Sequence, residues 1–398
     1  MKVVHISTSD NDGAGLCCYK IHKTMQSLGY DSKMLVRDKT QIDESVIEIG
    51  GIQRLKNSLW RLLNRLLRIL HLKITDYNKI LSLSQKYGFY TLPTSVIDLS
   101  KHPLVKEADI IHLHWVNFFL DYPSFFLNVD KPIVWTLHDE NLFFGIAHYE
   151  NTVLKEHVLE EKYCKLKFDS LNSKKNVGIV LLSKMMHDKF SSHPLIENFP
   201  KCIINNSVNY HLFNPIEKNS ARKYFNIPND YIVFAFVASY IGVERKGLKI
   251  LIEALEQLNI PNSIILAIGE NSSRIEYPRT ISVGRIEETQ ILSAAFSCAN
   301  YFVMPSQQEA FAQSPLEAMA CGIPCIVFPV SGTEELITPE NGIRCTDFTI
   351  ESLCDGIKKA MNTTYESEKI RKDVVERFSP EKIADNYLSF YKRVIALS

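Results

Sequence analysis

The sequence predicts an α/β protein built from two doubly wound domains in tandem. Three observations carry this reading. Short apolar runs alternate with helix-period segments along almost the whole chain, the pattern of parallel sheets covered on both faces. The length, 398 residues, exceeds what one ordinary core supports. A segment of Asn, Pro and charged residues between Asn205 and Asp230 interrupts the alternation. The boundary is placed there, giving residues 1–205, residues 206–378, and a final helix at 379–398.

In the first domain, Val3-Val-His-Ile6 reads as a strand and Leu16 to Leu28 as a helix. The loop Ser9-Asp-Asn-Asp-Gly-Ala-Gly15 lies between them. Its glycines let backbone amides come close to a phosphate or sugar. It is not a dinucleotide fingerprint, because Cys18 stands where the third glycine would fall, and a plain tight turn is the simpler account. Residues 51 to 75 contain Arg54, Lys56, Arg61, Arg65, Arg68 and Lys73 and no acid. Leu55, Leu59, Leu62, Leu66 and Ile69 or Leu70 form an apolar helical stripe around Trp60. Two readings stand side by side: an interfacial helix on an anionic membrane, spanning 52–73, or a helix packed on the first sheet with its cations in solvent.

Further strands are Ile110-Ile-His-Leu113, Ile133-Val-Trp-Thr-Leu137 and Gly178-Ile-Val-Leu-Leu182. His138 and Asp139 end the second of these, where a histidine can donate to a sugar hydroxyl or meet developing charge; a satisfied core histidine is the plain alternative. His148 is a further candidate. His112 and His114 alternate along one strand and share a face, but no third ligand at metal spacing is evident, so no metal site is predicted.

The second domain repeats the pattern with Ile232 to Val237, Ser263 to Ile268, Tyr301 to Met304 and Cys325 to Phe328. Glu244-Arg-Lys-Gly247 opens a helix, Leu248 to Leu258. Cations at a helix start oppose the macrodipole, a placement that makes sense if they hold a phosphate; a charged surface turn is the alternative. The most informative stretch is Ser306-Gln-Gln-Glu-Ala-Phe-Ala-Gln-Ser-Pro-Leu-Glu-Ala-Met-Ala-Cys-Gly-Ile-Pro324, in which seven residues separate Glu309 from Glu317. Ser314 suits an N-cap, Pro315 the first helical position and Glu317 the third, so a loop carrying one carboxylate enters a helix whose amides suit a phosphate or diphosphate. Glu317 as a capping residue and Glu309 as a solvated one is the competing reading. The tail from Ser379 reads as a capped helix with Ile383, Tyr387, Phe390, Tyr391 and Val394 on one face.

Composition narrows the function class. Apolar content of 45% and charged content of 23% are those of a soluble globular enzyme. Forty-five basic residues balance forty-five acidic ones, which leaves no global field for nucleic acid. Nine scattered cysteines suggest reduced thiols and a cytoplasmic setting, and the start of the chain lacks the apolar region of a signal peptide.

These segments, in this order, resemble the family 4 retaining glycosyltransferases of the GT-B fold. The resemblance is carried by Gly13-Ala-Gly15, Thr136-Leu-His-Asp139, Arg245-Lys-Gly247, the run Ser306 to Pro324, Asn206-Ser-Val-Asn-Tyr-His-Leu-Phe-Asn-Pro215 and the final Ser-Pro-Glu helix. Leu113-His-Trp-Val-Asn117, Pro132 to Asp139 and His148-Tyr149 are similar to the exopolysaccharide, colanic-acid-type branch. The resemblance implies two Rossmann-like domains facing a central cleft, an acceptor-binding one first and a nucleotide-sugar-binding one second, with the last helix returning to the first. It implies that Glu317 holds the ribose, and that Glu309 contacts the donor sugar with the amides of Ala310, Phe311 and Ala312. Lys246 would bind the diphosphate and stabilise the leaving group, His138 would contact the donor sugar, and Gly13 and Gly15 would line the diphosphate and acceptor side. No metal or other cofactor is expected; the partners are a nucleoside diphosphate sugar and a glycan or lipid-linked acceptor. The protein would act in the cytoplasm, peripheral on the inner face of the membrane.

There are departures from the pattern. Ser239-Tyr-Ile-Gly242 replaces a Gly-Arg-Leu whose arginine joins the lysine on the diphosphate, so Arg245 is the substitute candidate. Glu309-Ala-Phe-Ala312 replaces the common Glu-Gly-Phe-Gly. The alternatives are a GT-B sugar-nucleotide epimerase, a phosphorylase, or a non-catalytic partner subunit.

Overall fold

Runs apolar on both faces become central strands of two wholly parallel sheets. The computed structural model describes residues 1–69, 75–87, 89–154, 157–172 and 174–398. The chain divides into two compact units: residues 1–182, 186–204 and 384–398 form the first, and 183–185 with 205–383 the second.

The first unit contains β1 (Lys2–Ser9), β2 (Asp31–Asp38), β3 (Val46–Glu48), β4 (Ile110–Leu113), β5 (Ile133–Leu137), β6 (Val177–Leu181) and β7 (Lys201–Ile203). Their order is β3-β2-β1-β4-β5-β6-β7, so the winding reverses between β1 and β4. The second contains β8 (Ile232–Tyr240), β9 (Ser263–Glu270), β10 (Thr280–Gly284), β11 (Tyr301–Met304), β12 (Cys325–Val327) and β13 (Gly342–Arg344), in the order β10-β9-β8-β11-β12-β13. It reverses between β8 and β11. Ligands of such sheets bind beyond the strand carboxyl ends at these reversal points. Every residue of β4, β5 and β6 is buried, whereas β7 and β10 are partly exposed. The strands absent from the sequence reading are β2, β3, β7, β10 and β13, all but β2 short or at an edge.

One boundary is corrected, and a second is refined. The first helix, α1 (Gly13–Ser27), begins three residues earlier than Leu16, because the Asp12 carboxylate caps it by accepting from the Gly15 amide at 2.6 Å. The helix Leu248–Leu258 begins where expected, but Arg245 and Lys246 lie in a separate 3-10 turn, Glu244–Lys246, just before it.

The C-terminal helix, Pro380–Ala396, belongs with the first unit from Ala384 onward. Its face Ile383, Tyr387, Phe390, Tyr391 and Val394 is buried. The Tyr391 hydroxyl hydrogen-bonds His112 Nδ1 at 2.6 Å, and the Tyr387 hydroxyl meets Thr136 Oγ1 at 3.0 Å. Each buried tyrosine removes roughly 150–250 Å² from water, so the hydroxyls must find partners, and do.

α2 (Gly51–Ile69) forms as the basic stripe predicts, with Trp60 edge-on to Tyr77 at 4.5 Å between ring centres. Its leucines do not pack on the sheet: Leu55, Leu59, Leu62, Leu63, Leu66 and Ile69 are each exposed by about half. Leu70 and Lys73 lie outside the described residues. No described helix is long and apolar enough to cross a membrane.

Candidate functional site

At the reversal point of the second sheet, two loops lock together. After β8 the chain makes the turn Glu244–Lys246; after β11 it runs through Ser306 to Ala312. The Gln307 amide donates to the Arg245 carbonyl at 2.8 Å, and the Arg245 guanidinium donates to the Gln308 carbonyl at 3.1 Å. Between them Lys246 Nζ and Glu309 Oε1 form a pair at 2.5 Å, their side chains 24% and 12% exposed. Glycine is required next: Gly247 has φ +77, and a Cβ there would sit 2.1 Å from the Pro305 carbonyl oxygen. Glu309 is therefore not a solvated loop residue. The loop beyond it is held by its carbonyls: Ala310 accepts from Ser331 Oγ at 3.0 Å and Phe311 from Asn206 Nδ2 at 3.3 Å. The amides of Ala310, Phe311 and Ala312, in residues that are all buried, donate to no group among the described residues. Buried unpaired amides are rare, and a run of them beside a lysine suits a ligand rich in acceptor oxygens.

The capping of the next helix differs from the sequence reading. The helix is Gln313–Ala320, with Ala312 as N-cap and no side-chain capping bond. Ser314 and Pro315 thus lie inside the first turn, and Glu317 at the fifth position cannot close a capping box. Proline is tolerated there because first-turn amides have no intrahelical acceptor. Glu317 is half-buried, one turn into the helix.

In the first unit, His138 and Asp139 follow the end of β5. They line a pocket with His114, Trp115, Asn117 and Tyr122. Asp139 accepts from Trp115 Nε1 at 2.9 Å, His148 Nδ1 at 2.6 Å and the Asn141 amide at 2.9 Å. Burial would raise its pKa, but the His148 imidazole and these bonds hold it below the usual range. Burial lowers His138 to about 4, with the nearby Asp139 charge opposing, so the imidazole is neutral near pH 7. Its Nε2 meets His114 Nδ1 at 3.0 Å. His148 orients Asp139 and is itself held by Thr91 at 2.9 Å. Lys167, which sequence reading missed, is buried and donates to the Asn141 and Phe144 carbonyls at 2.5 and 2.6 Å, shaping the loop after Asp139. Nothing in the periodicity of its helix marks it.

Gly13 and Gly15 separate in role. A Cβ on Gly15 would lie 2.3 Å from the Ser9 carbonyl oxygen, and its amide already serves the Asp12 cap, so Gly15 sets strand–helix packing. Around Gly13 there is open space. Among the described residues, one trio could group around a metal ion: ligand atoms of His5, Cys18 and His114 lie within 4.8 Å of one another. His114 was singled out from sequence, but the other two come from β1 and α1 and are joined to it only by the fold.

The arrangement, two parallel Rossmann-like sheets with a last helix returned to the first, decides the fold. It is GT-B. The structure aligns over its full length with sucrose-phosphate synthase from Thermosynechococcus elongatus (TM-score 0.66, 19% identity, 100% of each chain). It also aligns with Anabaena HepE in complex with UDP-glucose (TM-score 0.64, 15% identity, 99% of this chain and 100% of that one). Residues 217–377 of this GT-B chain match the family model described as glycosyl transferases group 1. Among curated sequences it is similar to an uncharacterized glycosyltransferase of Methanocaldococcus jannaschii, 24% identical over 72% of this chain and 76% of that protein. It is also similar to the O-antigen biosynthesis glycosyltransferase WclY of Escherichia coli, 26% identical over 75% and 82%.

Proposed function

We propose that this chain is a retaining glycosyltransferase of family 4, in the exopolysaccharide branch, moving a sugar from a nucleoside diphosphate to a glycan or lipid-linked acceptor of a surface polysaccharide. The observation that carries the reading is the Lys246–Glu309 pair beside the unengaged amides of Ala310 to Ala312. In this role Lys246 and the first-turn amides of the helix Gln313–Ala320 meet the diphosphate and take up the negative charge that grows as the bond to the sugar breaks. Arg245 stands next in the turn; part of its guanidinium is committed to the Gln308 carbonyl, so its foremost effect is to hold the loop. Glu317 receives the ribose hydroxyls and Glu309 those of the donor sugar. Glu309 is not cast as a nucleophile: leaving group and acceptor use the same face of the sugar, and the acceptor's proton passes to the departing phosphate. In the first unit, His138 contacts the donor sugar and Gly13 borders the acceptor side. Charge is handled by side chains and amides, without a metal.

The test is nucleotide binding and turnover with a panel of nucleoside diphosphate sugars. Glu317→Ala should weaken nucleotide affinity about tenfold, the loss of one charged hydrogen-bonding group; unchanged affinity would take Glu317 out of the site. Absence of stabilisation by every nucleotide would sink the reading. Free epimerised nucleotide sugar, or phosphate-dependent cleavage, would instead favour the epimerase or phosphorylase.

We further propose that α2 rests on an anionic membrane on the cytoplasmic side. The half-exposed leucines share one helical face and Arg54, Arg61 and Arg65 another, with Lys56 at the apolar edge, as an interfacial helix requires. Vesicle co-sedimentation should rise with anionic lipid content; binding indifferent to it would remove the role.

A further inference from the structure

Three histidines of the first unit form a buried hydrogen-bonded row. His5 on β1 and His114, just past β4, meet through Nδ1 and Nε2 at 3.2 Å; His114 Nδ1 meets His138 Nε2 at 3.0 Å. His5 is fully buried and His114 nearly so. His112 stacks beside them with ring centres 3.9 Å from His114, but its nitrogens are taken by Thr136 and Tyr391, so it stands outside the row.

Burial lowers the pKa of all three, and neighbouring histidines add to the effect at His5 and His114. Each ring is neutral near pH 7 and carries a single N–H. The row then has only two proton arrangements. In one, His5 donates to His114, His114 donates to His138, and His138 carries its proton on Nδ1. In the other every proton is reversed, and His138 Nδ1 is bare.

The far end decides between them. His5 Nε2 is buried and has no hydrogen-bond partner. The reversed order would strand an N–H there, whereas the forward order strands only a lone pair, the less costly defect.

We propose that His5 is a positioning residue that fixes His138 as the Nδ1–H tautomer, so that His138 offers a hydrogen-bond donor to an oxygen of the substrate. His138 Nδ1 makes no bond to any described residue, which leaves it for a ligand. The proposal rests on the reading of His138 as a contact of the donor sugar and adds a specificity rule. The sugar position facing His138 must carry an acceptor oxygen, and a deoxy sugar there binds more weakly.

The experiment is long-range proton–nitrogen NMR on the full chain labelled with nitrogen-15 histidine, with donor kinetics on the same samples. The wild type should show His138 protonated on Nδ1. His5→Asn, whose amide nitrogen occupies the place of Nδ1, should keep that tautomer. His5→Phe should give mixed tautomers at His138 and raise the donor KM about 2- to 10-fold, the worth of one hydrogen bond, with a smaller change in kcat. A wild-type His138 protonated on Nε2, or a His5→Phe variant with the His138 signals unmoved, overturns the proposal. Should His5→Phe fail to fold, the wild-type spectrum alone decides. If no nucleotide sugar is turned over, the transferase reading fails, while the spectrum still reports on the row.

Discussion

The two units solve the same topological problem with opposite chemistry. Each sheet reverses its winding between two strands, and each gathers polar side chains on or just past the strands around that point. In the second unit the gathered groups are charged: Lys246 against Glu309, with amides around them. In the first they are uncharged rings, His5, His114 and His138, in a row buried deeply enough to stay neutral. A fixed charge is useful where a ligand's charge changes during reaction, since the field is already in place. Neutral rings suit hydroxyl recognition, where direction matters more than strength. Parallel doubly wound architecture dictates where the groups go; the residue types decide what each end binds.

The largest expected effect breaks the two units apart by acid. His22 and His138 have folded-state pKa values lowered from 6.5 to about 4 by burial, and His5, His112 and His114 are lowered too. A depressed folded pKa stabilises the fold above the unfolded value and loses that contribution as pH falls from 6.5 through about 4. Each group costs about 1.4 kcal/mol per pH unit within this window. All five rings lie in the first unit. So do Trp60, Trp115 and Trp135, the chain's three tryptophans, which makes their emission a reporter of that unit alone. On acidification the tryptophan red shift should come at a higher pH than the midpoint of far-ultraviolet circular dichroism. Coincident transitions would show that the histidines do not set the first unit's stability.

A smaller effect should sharpen the charged end. Lys246→Ala removes the cation and leaves the Glu309 carboxylate without its partner in a half-buried site. Transfer should fall about 10²- to 10³-fold, as for loss of one charge-stabilising donor. The fold should survive, because the loops remain joined by the Gln307 amide and the Arg245 guanidinium. Turnover within threefold of wild type would take Lys246 out of the machinery and leave the pair a structural clasp.

How far the sequence revealed this contrast depends on distance along the chain. The central strands were legible residue for residue, β4, β5 and β11 among them, because burial on both faces leaves an unbroken apolar signature. β3, β7 and β13 were not, since three residues carry no periodicity. Lys246 and Glu309 could each be singled out from their own loops. Their contact could not, because 63 residues separate them and only the reversal of strand order brings them together. The start of the helix at Gln313 was misplaced for a local reason: Ser-Pro reads as cap and first position wherever it occurs, and nothing nearby tells that the chain turns two residues sooner. His5 was hidden furthest. A lone histidine in a first strand is an ordinary core residue until β1 pairs with β4 in the register that sets His5 beside His112.

The smallest effect asks how firmly the last helix belongs to the neutral end. Tyr391→Phe keeps the buried ring and deletes only the hydroxyl at 2.6 Å from His112 Nδ1. That nitrogen is then buried with no partner, and the variant should lose about 1–3 kcal/mol in urea unfolding. Tyr387→Phe deletes a hydroxyl whose partner, Thr136 Oγ1, keeps a second bond to His112 Nε2 at 2.7 Å. Its cost should be lower, about 0.5–1.5 kcal/mol. The difference between the two variants is the informative quantity, because both remove one hydroxyl from one helix face and differ only in what is left unpaired. Equal losses would mean that the helix is held by its apolar face alone, and that His112 has no bearing on how the tail is seated.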